Sequence, residues 1–340
     1  MRQVSYAQAI NEGLHQLMEE DDRVILIGQG LTSPWYVGTT TAGLIDRFGA
    51  QRVIDTPVSE NAVTGVAVGA ALAGMRPIVM HPRMDFMYYA MDPIANHAAN
   101  WHYMFGGQLS VPLTIWAIIN RGGEQAAQHA QALQAVFMHI PGLKVVMPST
   151  PYDAKGLLVA SVRDGNPVVY IDDRWLYEQT GEVPEELYSV PIGKGVIRTE
   201  GTDVTLAATS HMVAEAIMAA ESLAREGISA EVLDLRSLKP LDDNLLFGSV
   251  RKTGRLIVID GGWRTCGAAA EVSARVTEAL FPYLKAPICR VSLPDAPAPA
   301  SSALETVYYP KAKDVAMAVR RLLKAHSSKQ EPNGGRTWSM

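Results

Sequence analysis

The sequence predicts an α/β protein of two doubly wound domains, each built on a mainly parallel sheet. Three observations carry this. Short apolar, β-rich runs recur along the chain, separated by segments with a helical apolar period, as expected of strands covered on both faces. A polar stretch near the middle interrupts the alternation, which then resumes. The 340 residues, 48 % of them hydrophobic, suffice for two large cores at roughly 100 to 200 residues per domain.

In the first half the strand runs are 24–28, 52–55, 77–80, 113–119, 144–148 and 168–171, and helices are expected over 6–20, 60–74, 87–104, 126–138 and 152–163. The stretch 174–200 carries Glu182, Pro184, Glu185, Glu186 and Pro191 and no helix-length apolar period. After it come strands at 204–209, 230–235, 255–260 and 289–293, with helices over 211–226, near 241–250, over 268–280 and near 311–325. The division expected is a first domain over 1–185, a linker over 186–200, a smaller second domain over 201–325 and a mobile polar tail over 326–340.

Composition removes several function classes. Thirty Lys and Arg against 35 Asp and Glu leave a formal charge of −5, so no basic field exists to hold nucleic acid or an anionic membrane. The two cysteines, Cys266 and Cys289, form no CxxC, and no histidine cluster has ligand spacing, so neither a disulfide framework nor a structural zinc site is expected. The acidic, amphipathic N-terminus is unlike a secretory signal. The longest apolar runs, 66–74 and 113–119, fall short of the roughly 20 residues that span a bilayer. A soluble protein of a reducing cytoplasm is expected.

Nucleotide motifs are weak or missing. Gly28-Gln29-Gly30-Leu31-Thr32-Ser33 follows a strand but lacks the third glycine of GxGxxG and opens no amphipathic helix, so it reads as a strand-to-loop turn. There is no GxxxxGK[ST] and no GxSxG. More informative is Asp55-Thr56-Pro57-Val58-Ser59-Glu60, which leaves a strand, turns at Pro57 and enters a helix rich in small residues. Glu60 then falls in the first helical turn. There it can simply complement the positive helix end, a habit worth about 0.3 to 1 kcal/mol.

The segments 54–79 (IDTPVSENAVTGVAVGAALAGMRPIV), 141–171, 188–197 (YSVPIGKGVI) and 228–242 (ISAEVLDLRSLKPLD) together resemble the beta subunit of the decarboxylating component of 2-oxoacid dehydrogenase complexes, of pyruvate, branched-chain and acetoin type. The likeness runs in order over residues 3 to 325. It implies a thiamine-pyrimidine-binding domain followed by a transketolase C-terminal-type domain, with thiamine diphosphate as cofactor. Glu60 matches the cofactor-activating glutamate. A carboxyl sharing a proton with the aminopyrimidine nitrogen favours the imino tautomer, which can deprotonate the thiazolium carbon. Phe86 matches the aromatic packed on the pyrimidine ring, and His129 the active-site histidine, a residue suited to oxyanion stabilisation or proton transfer. The family's structural potassium site, built chiefly from main-chain oxygens, falls on Leu113, Ser161, Val162, Asp164 and Asn166. His15, His97 and His139 match nothing catalytic.

No Gly-Asp-Gly with paired asparagines is present to hold a divalent ion; Ile259-Asp260-Gly261-Gly262 has the wrong order. The resemblance therefore implies that Mg2+ and the diphosphate are held by an alpha-type subunit in an alpha2-beta2 heterotetramer, with a lipoyl acyltransferase core as further partner and a 2-oxoacid as substrate. Three departures stand out. Gln29, at a position the resemblance places beside the cofactor and counted with Glu60 and Phe86 as cofactor-binding, replaces the acid usual after the first strand; a basic run is replaced by Trp101-His102-Tyr103-Met104-Phe105 before Gly106-Gly107, and the tail extends past the usual end. They keep open a two-chain thiamine enzyme of transketolase type or with a non-lipoyl acceptor, and a non-catalytic stabilising subunit.

Overall fold

Strand β1 (Arg2–Ser5) opens the computed structural model, which describes residues 2–33 and 37–327. Ser5 then caps the helix Tyr6–Glu20 in a reciprocal box with Gln8, satisfying two otherwise orphaned amides. The apolar face Tyr6, Ile10, Leu14, Leu17 and Met18 is buried, and the helix packs on the helix Pro151–Arg163, which Thr150 caps and Pro151 starts.

The first-domain sheet contains β2 (Val24–Gln29), β3 (Val53–Thr56), β4 (Arg76–His81), β5 (Thr114–Ile119), β6 (Lys144–Val146) and β7 (Val168–Asp173). All pair in parallel, in the order β6-β7-β5-β4-β2-β3, and the middle strand β5 is buried along its whole length. The second-domain sheet contains β9 (Val196–Thr199), β10 (Val204–Ala208), β11 (Ala230–Asp234), β13 (Leu256–Trp263) and β14 (Cys289–Leu293) in the order β14-β13-β10-β11-β9. Both sheets are doubly wound, as expected.

Four local expectations change. The stretch 174–200 is not featureless: β8 (Thr180–Val183) pairs antiparallel with β1, and β9, inside the expected linker 186–200, forms the edge of the second sheet, antiparallel to β11. A short strand β12 (Ser237–Lys239), from within 201–325, joins the first-domain sheet antiparallel to β6. The expected helix 87–104 is three pieces: a 3-10 turn Met84–Ala90, a π-turn Asp92–Ala98 and an α-helix Ala99–Met104. Pro93 has no amide hydrogen to donate, so the ladder resets there. The expected helix 126–138 shrinks to Gln134–His139, because Gly122, Gly123, Glu124 and Ala126 all take positive φ.

A buried charge network ties the halves. Arg236 Nη1 donates to Asp153 Oδ1 at 2.8 Å, Arg198 Nη2 donates to Asp234 Oδ2 at 2.7 Å, and Arg198 also meets Asp153, whose side chain is 0 % exposed. Burial pushes the Asp234 carboxyl up to about 6 despite its arginine. No helix among the described residues is long and apolar enough to cross a membrane. The last helix runs Ala312–Ser327; from residue 328 the expected tail lies outside the described residues.

Candidate active site

The C-terminal ends of parallel strands are where open α/β sheets place ligands. Here β2, β3 and β4 end on Gln29, Thr56 and His81, and these three line one small cleft with Ser59, Glu60 and Pro82. Glu60 is the first residue of the helix Glu60–Leu72, half-buried, and directed to the cleft by the turn at Pro57. The 3-10 turn Met84–Ala90 packs on the same helix. It presents Phe86, whose ring meets His129 edge-on with centroids 5.3 Å apart. Gln29 and Glu60, widely spaced in sequence, thus share the cleft, while Phe86 and His129 meet each other on the turn packed against the Glu60 helix.

Several neighbours were given no role by the sequence. His81 is 2 % exposed, and its Nε2 lies 3.2 Å from the hydroxyl of Thr64, one turn along the Glu60 helix. Burial holds its imidazole down to about 4, so it is neutral at physiological pH. The buried Thr56 hydroxyl, also on the cleft, has no hydrogen-bond partner among the described residues. Asp85 is buried beside Phe86 and accepts the Gln131 amide at 3.0 Å, two residues past His129; burial pushes its carboxyl up. Only the adjacency of Asp85 to Phe86 could have flagged it.

This half-buried carboxyl, orphaned hydroxyl and aromatic edge fit the aminopyrimidine half of a thiamine cofactor: a proton-sharing acid, spare polar capacity and an apolar face. They do not fit its diphosphate. No group of three or more His, Cys, Asp or Glu able to hold a metal exists among the described residues. Asp260 is fully engaged, accepting from Gln134 Nε2 at 2.6 Å, from the Gly262 amide at 2.9 Å and from the Ala269 amide at 3.1 Å. The start of the loop, residues 30–33, is tied to Asp55, whose carboxylate accepts from the Gly30 amide at 2.7 Å and the Thr32 hydroxyl at 2.8 Å; these described residues open no phosphate cradle.

Around the cleft the surface is apolar. On the Glu60 helix Ala62, Gly65 and Gly69 are exposed and Val66 is 59 % exposed; Val58 and Tyr88 are exposed beside it, and Tyr89 is 69 % exposed. Contiguous apolar surface of this kind marks an interaction face.

The five residues of the expected potassium site gather only partly. The Ser161 carbonyl accepts the Asp164 amide at 3.3 Å, while Arg76 Nη1 donates to the Val162 carbonyl at 2.7 Å and to the Asp164 carbonyl at 3.3 Å. The Leu113 carbonyl accepts the Val168 amide at 3.0 Å, and Asn166 Oδ1 is buried without a partner among the described residues. A guanidinium therefore already sits on two of the expected oxygens.

Comparison with known proteins covers nearly the whole chain. The transketolase pyrimidine-binding domain matches residues 2–179 and the transketolase C-terminal domain residues 193–315. The beta subunit of the acetoin:2,6-dichlorophenolindophenol oxidoreductase of Cupriavidus necator is 44 % identical over 95 % of this chain and 98 % of its own. Its Bacillus subtilis counterpart is 42 % identical over 95 % and 98 %. The mitochondrial pyruvate dehydrogenase E1 component subunit beta of Bos taurus is 40 % identical over 94 % and 91 %. Among solved structures, a split-gene transketolase described as an inactive beta4 tetramer superposes with a TM-score of 0.76 at 25 % identity, over 94 % of this chain and 98 % of that one.

Proposed function

Because the chain belongs to the family of E1 beta subunits of pyruvate and acetoin dehydrogenases, built from transketolase pyrimidine-binding and C-terminal domains, we propose that it is the pyrimidine-holding half of a thiamine diphosphate-dependent 2-oxoacid dehydrogenase. The observation that carries this is Glu60 on the cleft at the strand ends, with the Phe86–His129 ring contact on the 3-10 turn packed against the Glu60 helix. When bound, thiamine diphosphate supplies the carbanion-stabilising centre that decarboxylation needs. Glu60 would hold a shared proton at the aminopyrimidine nitrogen. Phe86 offers a face or edge to the ring. His129, in contact with Phe86, would donate to oxygen on the substrate or transfer a proton near it.

The reading assigns Mg2+ and the diphosphate to an alpha-type subunit of an alpha2-beta2 heterotetramer, seated on the apolar surface around Val58, Val66 and Tyr89. The lack of a metal-holding group among the described residues supports it, as does the description of the structural neighbour's beta4 tetramer as inactive. Lipoamide on an acyltransferase core is the acceptor proposed. The two acetoin-type relatives, named for a dye acceptor, favour keeping a non-lipoyl acceptor as the second reading. A potassium ion at Leu113, Ser161, Val162, Asp164 and Asn166 would have to share oxygens with Arg76 through their second lone pairs. Replacing K+ by Na+ during purification should then lower the melting temperature; an unchanged value removes the ion.

Co-expression with the alpha-type chain, then decarboxylation assays on a 2-oxoacid panel, tests the function. Activity with both an artificial electron acceptor and a lipoyl domain is expected. Activity with the dye alone favours the second reading, and stoichiometric cofactor binding without any activity favours a stabilising subunit.

A further inference from the structure

The loop that delivers His129 is held from the other domain. Residues Gly122, Gly123, Glu124 and Ala126 lie at φ of +69°, +63°, 62° and 58°, a left-handed run that Glu124 and Ala126 occupy under strain. Such a backbone persists only where its surroundings over-determine it. Three contacts do so here. Arg121, its side chain almost wholly buried, pairs with Asp173 at 3.1 Å and lays its guanidinium against Gly261, where a Cβ would fall 2.4 Å from Nη1. Gly261 is at the end of β13, beside β10, the point in the second sheet where the connections diverge.

Gly122 sits under the indole of Trp175; a Cβ there would fall 2.9 Å from Nε1. Finally, Glu124 and the helix Ser302–Tyr308 exchange hydrogen bonds. The Glu124 amide donates to Glu305 Oε2 at 3.3 Å, and the Ser302 amide donates to Glu124 Oε1 at 3.2 Å. Glu124 thereby supplies in trans the cap that Ser301, the N-cap residue of this helix, does not make with its own side chain. On the far side of His129, the Gln131 amide is fixed by Asp85.

We propose that the second domain sets the position of His129, with the Glu124–Glu305 exchange as the clamp and Glu305 as a positioning residue for the reaction. The inference rests on the role given to His129 above. It assigns the C-terminal-type domain a part in assembling the active site besides its part in the fold.

The test uses the enzyme assembled with its alpha-type subunit, pyruvate as probe and a dye acceptor, and compares Glu305→Ala, Glu305→Gln and His129→Ala. Glu305→Ala should lower kcat about 10- to 100-fold while KM and thiamine diphosphate affinity stay within about twofold, since only a displaced side chain is at fault. Glu305→Gln, which keeps an acceptor for the Glu124 amide, should recover kcat to within about threefold. Independently of activity, trypsin should cut the Arg121–Gly122 bond of the Glu305→Ala chain about tenfold faster, with cleavage at Arg52 unchanged.

Full kcat in Glu305→Ala, or equal losses in both Glu305 variants with no change at Arg121, would overturn the clamp. Loss in His129→Ala but none in Glu305→Ala overturns the clamp alone. Wild-type activity in His129→Ala overturns the underlying role and the clamp with it.

Discussion

Replacing His81 by Phe should remove a pH-dependent part of the chain's stability. The imidazole is 2 % exposed, faces Thr64 and is held down to about 4 from an ordinary 6.5. A histidine depressed in the fold is neutral there while the unfolded chain still takes up the proton, so its contribution is intact above about pH 6.5 and is lost as pH falls towards 4. Between about pH 7 and pH 5 the difference between the two proton-binding curves amounts to about 2 kcal/mol.

Urea unfolding of the wild type and His81→Phe at both pH values isolates this quantity, because Asp172, Asp234 and every other titrating group is shared. The stability of the wild type relative to the variant should fall by about 2 kcal/mol on going from about pH 7 to pH 5. A relative stability that does not move would mean that His81 titrates normally. A neutral, buried imidazole lining the cleft with Glu60 would then be wrong.

Asp153→Asn leaves Arg198 with Asp234 alone and Arg236 with only the Lys194 and Gly195 carbonyls, and should cost about 3 to 5 kcal/mol in the same urea assay; a loss under about 1 kcal/mol would mean that the network is solvated. Gly142, at φ +87°, has no room for a Cβ, which would stand 2.0 Å from the Ala99 carbonyl oxygen, so Gly142→Ala should lose at least about 2 kcal/mol. Phe86→Ala should weaken thiamine diphosphate binding to the assembled enzyme about tenfold by calorimetry, near the upper end of what an aromatic pair contributes; unchanged affinity would separate Phe86 from the ring.

Much of the fold was legible because strands buried on both faces are written as uninterrupted apolar runs: residues 113–119 and 168–171 could hardly be anything else. What escaped was what distant partners decide. β12 is three residues long, and only β6, some 90 positions earlier, makes it a strand. The span 87–104 reads as one helix until Pro93 is weighed as a break in the ladder. Ala126 to Ala130 suit a helix by propensity, yet the contacts of Arg121 and Glu124 hold that loop open.

At the site, Glu60, Phe86 and His129 were found through a resemblance, since each alone has an ordinary reading as a helix-end acid, a core aromatic or a surface histidine. His81 lay in no motif, and Thr56 was only a neighbour of Glu60 in the segment 55–60, with no role of its own. They matter only because three neighbouring strands end side by side.

The account stands on the Glu60 carboxyl acting at the cofactor's pyrimidine ring. Hydrogen–deuterium exchange at the thiazolium carbon of thiamine diphosphate bound to the assembled enzyme measures that act directly. With Glu60→Gln, exchange should slow by at least about 100-fold while the cofactor remains bound. Exchange at the wild-type rate in that variant would contradict the account.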